Sequence, residues 1–307
     1  MIRASLTSVA LLILLGAGDL GAADAPATRP AGPTLVPVPE AMRKDVPPPR
    51  TRAEVAALIG EAPKPDKLRD VHIVLVAGPK DHGPGEHDYP AWQKAWQTLL
   101  SQAPRTKVTT AWEKPTADDL KSADALILFK HTAWPKEMNA DVAAFLDRGG
   151  GVMLLHFAVD CFANPQGGEQ FLGLYWGPGA KYRHGWLDLE FTKPADGRDE
   201  PLLRGLAGRK LRFHDESYWR LTGSPASIET LAGAMEDDGD GRMIRVPLVW
   251  NRRVGKGRVH VNILGHYNWT FNDPAFRVVA LRGIAWTAGE PIDRFNDLVG
   301  VDVTFRE

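Results

Sequence analysis

The sequence predicts an α/β domain built on a mostly parallel sheet, and three observations carry that prediction. Short runs such as Val71 to Ala77, Ala125 to Phe129 and Val152 to Leu155 are apolar on both faces, as strands covered from both sides must be. Stretches with helical spacing separate them, so strand and helix alternate as βαβ units require. Each run also leads into a histidine or a polar loop: Asp81-His82-Gly83, His131, His156 and, after Val259 to Leu264, Gly265-His266. The carboxyl ends of the strands of an open parallel sheet form one rim, and ligands bind outside it. These histidines are therefore expected at one polar site.

Taken in order, Met1 to Ala25 has the layout of a secretory signal, with Arg3, an apolar stretch from Val9 to Leu15, and small residues at Gly21, Ala22, Ala23 and Ala25. That stretch is too short for a stable membrane anchor, so a periplasmic or secreted protein with no stable membrane span is expected. Residues 26–65 form a proline-rich linker, because prolines at 26, 30, 33, 37, 39, 47, 48 and 49 fix φ and favour an extended tether. Within it, Ala53 to Ile59 is a short helix. The main domain spans 66–290. Val71 to Ala77 is its first central strand, and Trp92, Trp96, Leu99 and Leu100 mark the helix that follows.

The second cycle has an edge strand near Lys107 to Trp112, a buried strand at Ala125 to Phe129, and a helix after Pro135 with Met138, Val142, Phe145 and Leu146 on one face. Gly149-Gly150-Gly151 ends that helix, since glycine tolerates a left-handed C-cap, and Val152 to Leu155 returns as a strand. From Phe157 to Met243 turns multiply, and long inserted loops with extra strands are expected on the same domain. Val246 to Trp250 and Arg258 to Leu264 flank Gly255-Lys256-Gly257 as strand, tight turn and strand. Asp273-Pro274 starts a last helix with Phe276, Val279, Ala280, Gly283 and Ile284 inward. Residues 291–307 are a C-terminal tail.

The 307 residues are 44% hydrophobic and 24% charged, enough to bury a substantial core. The formal net charge of -1 offers no basic face for a phosphate backbone, so nucleic acid is not an expected partner and a neutral small molecule is. The single cysteine, Cys161, supports neither a disulfide scaffold nor a thiolate metal cluster.

Several clusters carry chemistry. His156 stands where an α/β hydrolase or amidotransferase places its nucleophile elbow, yet Leu154-Leu155-His156-Phe157-Ala158 lacks both the serine or cysteine and the flanking glycines. Cys161, five residues on, is a poor substitute. In His214-Asp215-Glu216-Ser217-Tyr218-Trp219, carboxylates adjoin a histidine and aromatic rings, a combination suited to general acid or base work. His266 follows the last long strand, and His184 lies in Tyr182-Arg183-His184-Gly185-Trp186.

Imidazoles with Glu216 can ligate zinc or a similar divalent ion when thiolates are absent, and His156, Glu216 and His266 are the candidate ligands. His82 and His87 lie in a polar, glycine-rich loop that reads equally as a surface turn. Glu236 to Gly241 lacks the closing glutamate of a calcium loop, and Gly255-Lys256-Gly257-Arg258 lacks the phosphate-loop pattern. Trp176, Trp186, Trp219, Trp250 and Trp269 flank the polar clusters, where a ring face suits the C-H face of a sugar.

Gly149-Gly150-Gly151-Val152-Met153-Leu154-Leu155-His156, Asp215-Glu216-Ser217-Tyr218, Pro247-Leu248-Val249-Trp250, Gly255-Lys256-Gly257-Arg258-Val259 and Leu264-Gly265-His266 together resemble the ThuA-like (trehalose utilisation) family, over about Val71 to Glu290. The resemblance implies a flavodoxin-like three-layer sandwich similar to class I glutamine amidotransferases, without their Cys-His-Glu triad. It also implies carbohydrate metabolism rather than glutamine hydrolysis. It points to His156, Asp215, Glu216, Tyr218 and His266, with His184 and His82 as neighbours.

The expected function is thus acid/base chemistry on a saccharide of trehalose or keto-sugar type at the strand rim, with or without a metal ion. His156, Asp215, Glu216 and His266 are the catalytic candidates, and His82, His184, Tyr218, Trp219, Trp250 and Trp269 the substrate-binding ones. The alternative is a non-catalytic carbohydrate-binding or scaffold protein on an amidotransferase-like fold.

Overall fold

The computed structural model describes residues 32–61, 67–193 and 200–307. The expected secretory signal lies outside the described residues. A nine-stranded mixed sheet in the order β2-β1-β3-β4-β11-β10-β9-β6-β7 organises the domain. Its parallel half comprises β1 (Val71–Ala77), β2 (Thr106–Trp112), β3 (Ala125–Phe129), β4 (Gly151–Leu155) and β11 (Gly257–Asn262). β1, β3 and β4 are apolar on both faces because helices cover both.

Two glycines show how closely. Gly151 of β4 faces Thr287 at the end of α6 (Pro274–Thr287), whereas Gly257 of β11 faces Leu146 of α4 (Asn139–Asp147). Gly151 is paired with Arg258, the neighbour of Gly257. Successive strand residues point to opposite faces, so α6 and α4 lie on opposite sides of the sheet. α1 (Arg52–Ile59) packs on α6, α2 (Tyr89–Leu100) packs on β1 and β2, and α3 (Ala117–Ser122) packs on α4.

The stretch between Phe157 and Met243 builds the antiparallel half. A short turn α5 (Pro165–Gly167) precedes the two-residue strand β5 (Leu174–Tyr175), which pairs with β8 (Thr222–Gly223) apart from the main sheet. β6 (Lys181–Phe191), β7 (Lys210–Trp219), β9 (Glu229–Asp237) and β10 (Met243–Val254) extend the main sheet. This half curls, so that β7, formally the far edge, touches β10 and the 3-10 turn Asn268–Asn272 beyond β11. That return brings β7 to the rim of the parallel half.

The proline-rich stretch, expected as an extended tether, lies against the domain from Thr34 onward. Val36 is buried and exchanges two hydrogen bonds with the Asn272 side chain, Asn268 Nδ2 donates to Pro37 O, and Arg50 pairs with Asp273 at 2.9 Å. Residues 291–307 are likewise packed, with Phe295, Leu298 and Val299 buried. Arg277, fully buried on α6, ties these segments together by donating to Phe271 O, Val301 O and Thr34 O. Proline fixes the path of a chain, and it does not prevent burial where neighbouring side chains supply the hydrogen bonds. Among the described residues no helix is long and apolar enough to cross a membrane.

Candidate functional site

Four of the five parallel strands, β1, β3, β4 and β11, lead into polar residues at one rim. His156 follows β4 directly and opens a 3-10 turn with φ at +52°, a left-handed conformation rare for a residue with a Cβ. This is the geometry of an elbow with an imidazole in place of a nucleophile. His87, with φ at +43°, precedes Asp88, whose side chain caps α2. His266 lies in the loop after β11, next to Gly265 at φ +133°, whose missing side chain leaves room for the Phe271 ring. Glu216 comes from β7, directly across from His184 on β6.

The four side chains of His87, His156, Glu216 and His266 converge, with ligand atoms all within 4.8 Å of one another. His87 Nε2 is 2.8 Å from His156 Nε2 and 3.0 Å from His266 Nδ1. Glu216 Oε2 is 3.1 Å from His156 Nε2 and 3.2 Å from His266 Nδ1. All four residues are buried, none more than 4% exposed. Burial works against the charge of Glu216, yet the His156 and His266 imidazoles facing it hold its carboxyl well below the usual range. Burial likewise pushes His87 down to about 3, against the pull of Asp81. His87 is therefore neutral at ordinary pH.

A second layer orients these groups. His156 Nδ1 donates to Ile263 O at 2.7 Å, and the Tyr218 hydroxyl is 3.1 Å from His156 Nε2. His87 Nδ1 meets Asp81 Oδ1 at 3.0 Å and the Tyr89 hydroxyl at 2.8 Å. Asp81 continues outward to His82 at 2.9 Å and His131 at 3.4 Å, and His131 Nε2 donates to Asp160 at 3.0 Å. Burial disfavours the Asp81 carboxylate, but hydrogen bonds from His87 and His82 hold it well below its ordinary range. Asp215 is fully buried and accepts from Glu216 N, Gly265 N, His266 N and the Thr270 hydroxyl, so both its oxygens brace the loop that carries His266.

His184 Nε2 donates to Glu216 Oε1 at 2.8 Å and is 44% exposed, so it joins the buried cluster to solvent. Its ring lies 4.4 Å from that of His266 and 5.6 Å from Tyr182, which is 56% exposed. Trp176 follows at 6.0 Å from Tyr182, with Phe157 5.9 Å beyond. These rings run in contact from His184 round to Phe157, whose ring lies 5.8 Å from that of His87.

The sequence-predicted residues divide accordingly. His156, Glu216, His266, His184 and Tyr218 meet at the cluster, and Asp215 supports it from behind. His82 lies tilted against His87 with ring centroids 3.7 Å apart and belongs to the outer layer. Trp250, expected beside the ligand, is fully buried with Nε1 donating to Leu172 O, and Trp269 is buried in a stack on Tyr267 and His214. Both rings are used up in packing. Trp219 is half-buried against the core. The central residue that sequence reasoning left undecided is His87; its signal was the Asp88-Tyr89-Pro90 helix start immediately after it. Cys161 is buried and its thiol is pushed up to about 12 by burial and by Asp160, which leaves it no nucleophilic form near neutral pH.

The family model for ThuA, trehalose utilisation, matches residues 74–287, which include every member of the cluster. The chain belongs to the ThuA family. Membership suggests a role in trehalose utilisation. A ThuA-like protein from Parabacteroides merdae superimposes with a TM-score of 0.58 at 22% identity, covering 73% of this chain and 92% of that one. Another, from Bacteroides uniformis, gives 0.55 at 17% identity, with 76% and 99% covered. At these identities the ThuA-like structures establish the common α/β fold. No curated protein matches the sequence.

Proposed function

We propose that this ThuA-family chain is exported and acts on a carbohydrate of trehalose or keto-sugar type by acid/base chemistry at the strand rim, in a metal-assisted form. The parallel strand order β2-β1-β3-β4-β11 supports a flavodoxin-like frame for that site. One observation carries the reading: Glu216 has one oxygen in the buried histidine cluster and the other on half-exposed His184. A proton can therefore pass between the cluster and a substrate held at the mouth. The exposed Tyr182 ring beside His184, with Trp176 next to it, supplies the flat apolar surface that a pyranose C-H face stacks on.

Glu216 relays the proton through its Oε1 and His184, His156 and His266 hold its Oε2, and Asp215 is a positioning residue for the His266 backbone. Glutamine hydrolysis is not supported, because the elbow carries an imidazole and the lone thiol is buried. The test is product analysis on a panel of disaccharides and their oxidised derivatives, preselected by thermal shift. Glu216→Gln and His266→Ala should each abolish turnover of the substrate that wild type converts. Tyr182→Ala should raise KM with kcat little changed. Stabilisation by a sugar without any product would instead make this a binding protein.

A further inference from the structure

We infer that His87 Nε2, His156 Nε2, His266 Nδ1 and Glu216 Oε2 form a four-ligand site for one zinc-class divalent ion, with His87 a full ligand. The inference rests on the same cluster as the proposed function and names its cofactor, but it does not depend on the substrate being a sugar.

Outer partners fix where the protons of two of these imidazoles sit. Ile263 O can only accept, so His156 carries its proton on Nδ1 and turns the Nε2 lone pair inward. Ionised Asp81 also can only accept, so His87 carries its proton on Nδ1 and turns its Nε2 lone pair inward. These two lone pairs meet at 2.8 Å. Glu216 Oε2 adds a third acceptor beside His156 at 3.1 Å. A proton on His266 or the Tyr218 hydroxyl satisfies one of these edges and leaves the others as acceptor against acceptor. A cation at the centre satisfies all of them together.

The dimensions fit. Bonds of about 2.0–2.1 Å from zinc to nitrogen and oxygen give tetrahedral edges of about 3.3 Å. Four of the six edges here are 2.8, 3.0, 3.1 and 3.2 Å, each within about 0.5 Å of that length, and the other two lie within 4.8 Å. Three of the four ligands also have an outer partner of the kind metal sites use: Ile263 O for His156, Asp81 for His87 and His184 for Glu216, while His266 Nε2 has no hydrogen-bond partner and Glu86 Oε1 lies 3.7 Å from it. Three imidazoles with one carboxylate favour zinc, cobalt, nickel, iron(II) or manganese over calcium and magnesium, which take oxygen ligands. Left-handed backbone at both His87 and His156 is the kind of strain that persists where a site holds it in place.

The test uses untagged full-length protein. Elemental analysis of protein stripped with a chelator and reloaded with zinc should give one ion per chain and a raised melting temperature. Cobalt reloading should give the intense visible absorption of four-coordinate nitrogen and oxygen ligation. Glu216→Gln and His87→Ala should each lose the stoichiometric ion, while Asp81→Asn, which keeps all four ligands, should weaken binding roughly 10–100-fold. Failure of wild type to bind zinc, cobalt, nickel, iron(II) or manganese stoichiometrically overturns the inference. So does an ion that both ligand variants retain. If the variants do not fold, the cobalt spectrum of wild type decides, because octahedral or oxygen-only ligation would also overturn it. An ion found in a protein that converts no carbohydrate refutes the proposed substrate class alone.

Discussion

Asp215→Asn gives the sharpest measure of how the sheet's far edge holds the site. Asp215 Oδ1 accepts from Glu216 N at 2.7 Å and His266 N at 3.0 Å, and Oδ2 accepts from Gly265 N at 3.0 Å and the Thr270 hydroxyl at 2.5 Å. Asparagine keeps one oxygen for two of these donors and sets an NH2 group against the other two. The Thr270 hydroxyl can rotate to accept, but Gly265 N–H cannot. Hydrogen bonds to a charged acceptor contribute about 1.5–3 kcal/mol each, and a buried donor left unpaired costs about 1–3 kcal/mol. Losing the Gly265 bond and leaving that donor buried and unpaired should cost about 1.5–3 kcal/mol. Urea unfolding in the presence of chelator measures it, with Thr270→Val as the second arm of a double-mutant cycle. A loss below about 1 kcal/mol, or strict additivity of the two variants, would refute the bracing role.

Other outcomes follow from the same geometry. His260 is buried away from the cluster, hydrogen-bonded to Asn251 at 2.8 Å, and burial lowers it from 6.5 to about 3. The unfolded chain takes up this proton below about pH 6.5 and the folded one only near pH 3, so the stabilisation is complete above 6.5. It should fall by about 1.4 kcal/mol per pH unit between those limits; a His260→Met variant whose stability gap to wild type stays constant from pH 7 to pH 4 contradicts this. Gly151→Ala would drive a methyl into the Thr287 carbonyl, and Gly257→Ala would place one 2.6 Å from Leu146. Both should destabilise by about 1–3 kcal/mol or more in calorimetry, and unchanged melting would disprove the close packing of α6 and α4 on the sheet. Arg277→Met should release residues 34–37 and 299–303 to hydrogen exchange ahead of the rest of the domain; uniform protection would show that the strap does not depend on that guanidinium.

The parallel half was legible because its signals are local. Val71 to Ala77, Ala125 to Phe129 and Val152 to Leu155 are too apolar for any one-sided environment, and Asp273-Pro274 sets a helix start by itself. The antiparallel half was less so. β6 runs Lys181–Phe191 with exposed and half-buried residues along its first part, because one face of that part looks outward, and such a strand resembles a loop in composition. The strap from Thr34 to Arg50 looks like a tether in the sequence because its ties are long-range. Val36 is held by Asn272 and Arg50 by Asp273, pairings that no spacing within the strap can announce.

The same distinction explains the site. His156 and His266 were visible because each ends a readable strand, whereas His87 sits in a loop with six ionisable residues between Lys80 and Asp88, where polarity alone says surface. What buries His87 is the return of Glu216 on β7, across the whole sheet, together with the His266 loop that Asp215 pins down. His87 N donates to His266 O and Asn268 N to Gly85 O, so the two loops are joined main chain to main chain. A cluster assembled this way comes from four separate stretches of chain with no motif spacing between its members. Its signature lies in the tautomers that its outer partners enforce, and those exist only once the chain has folded.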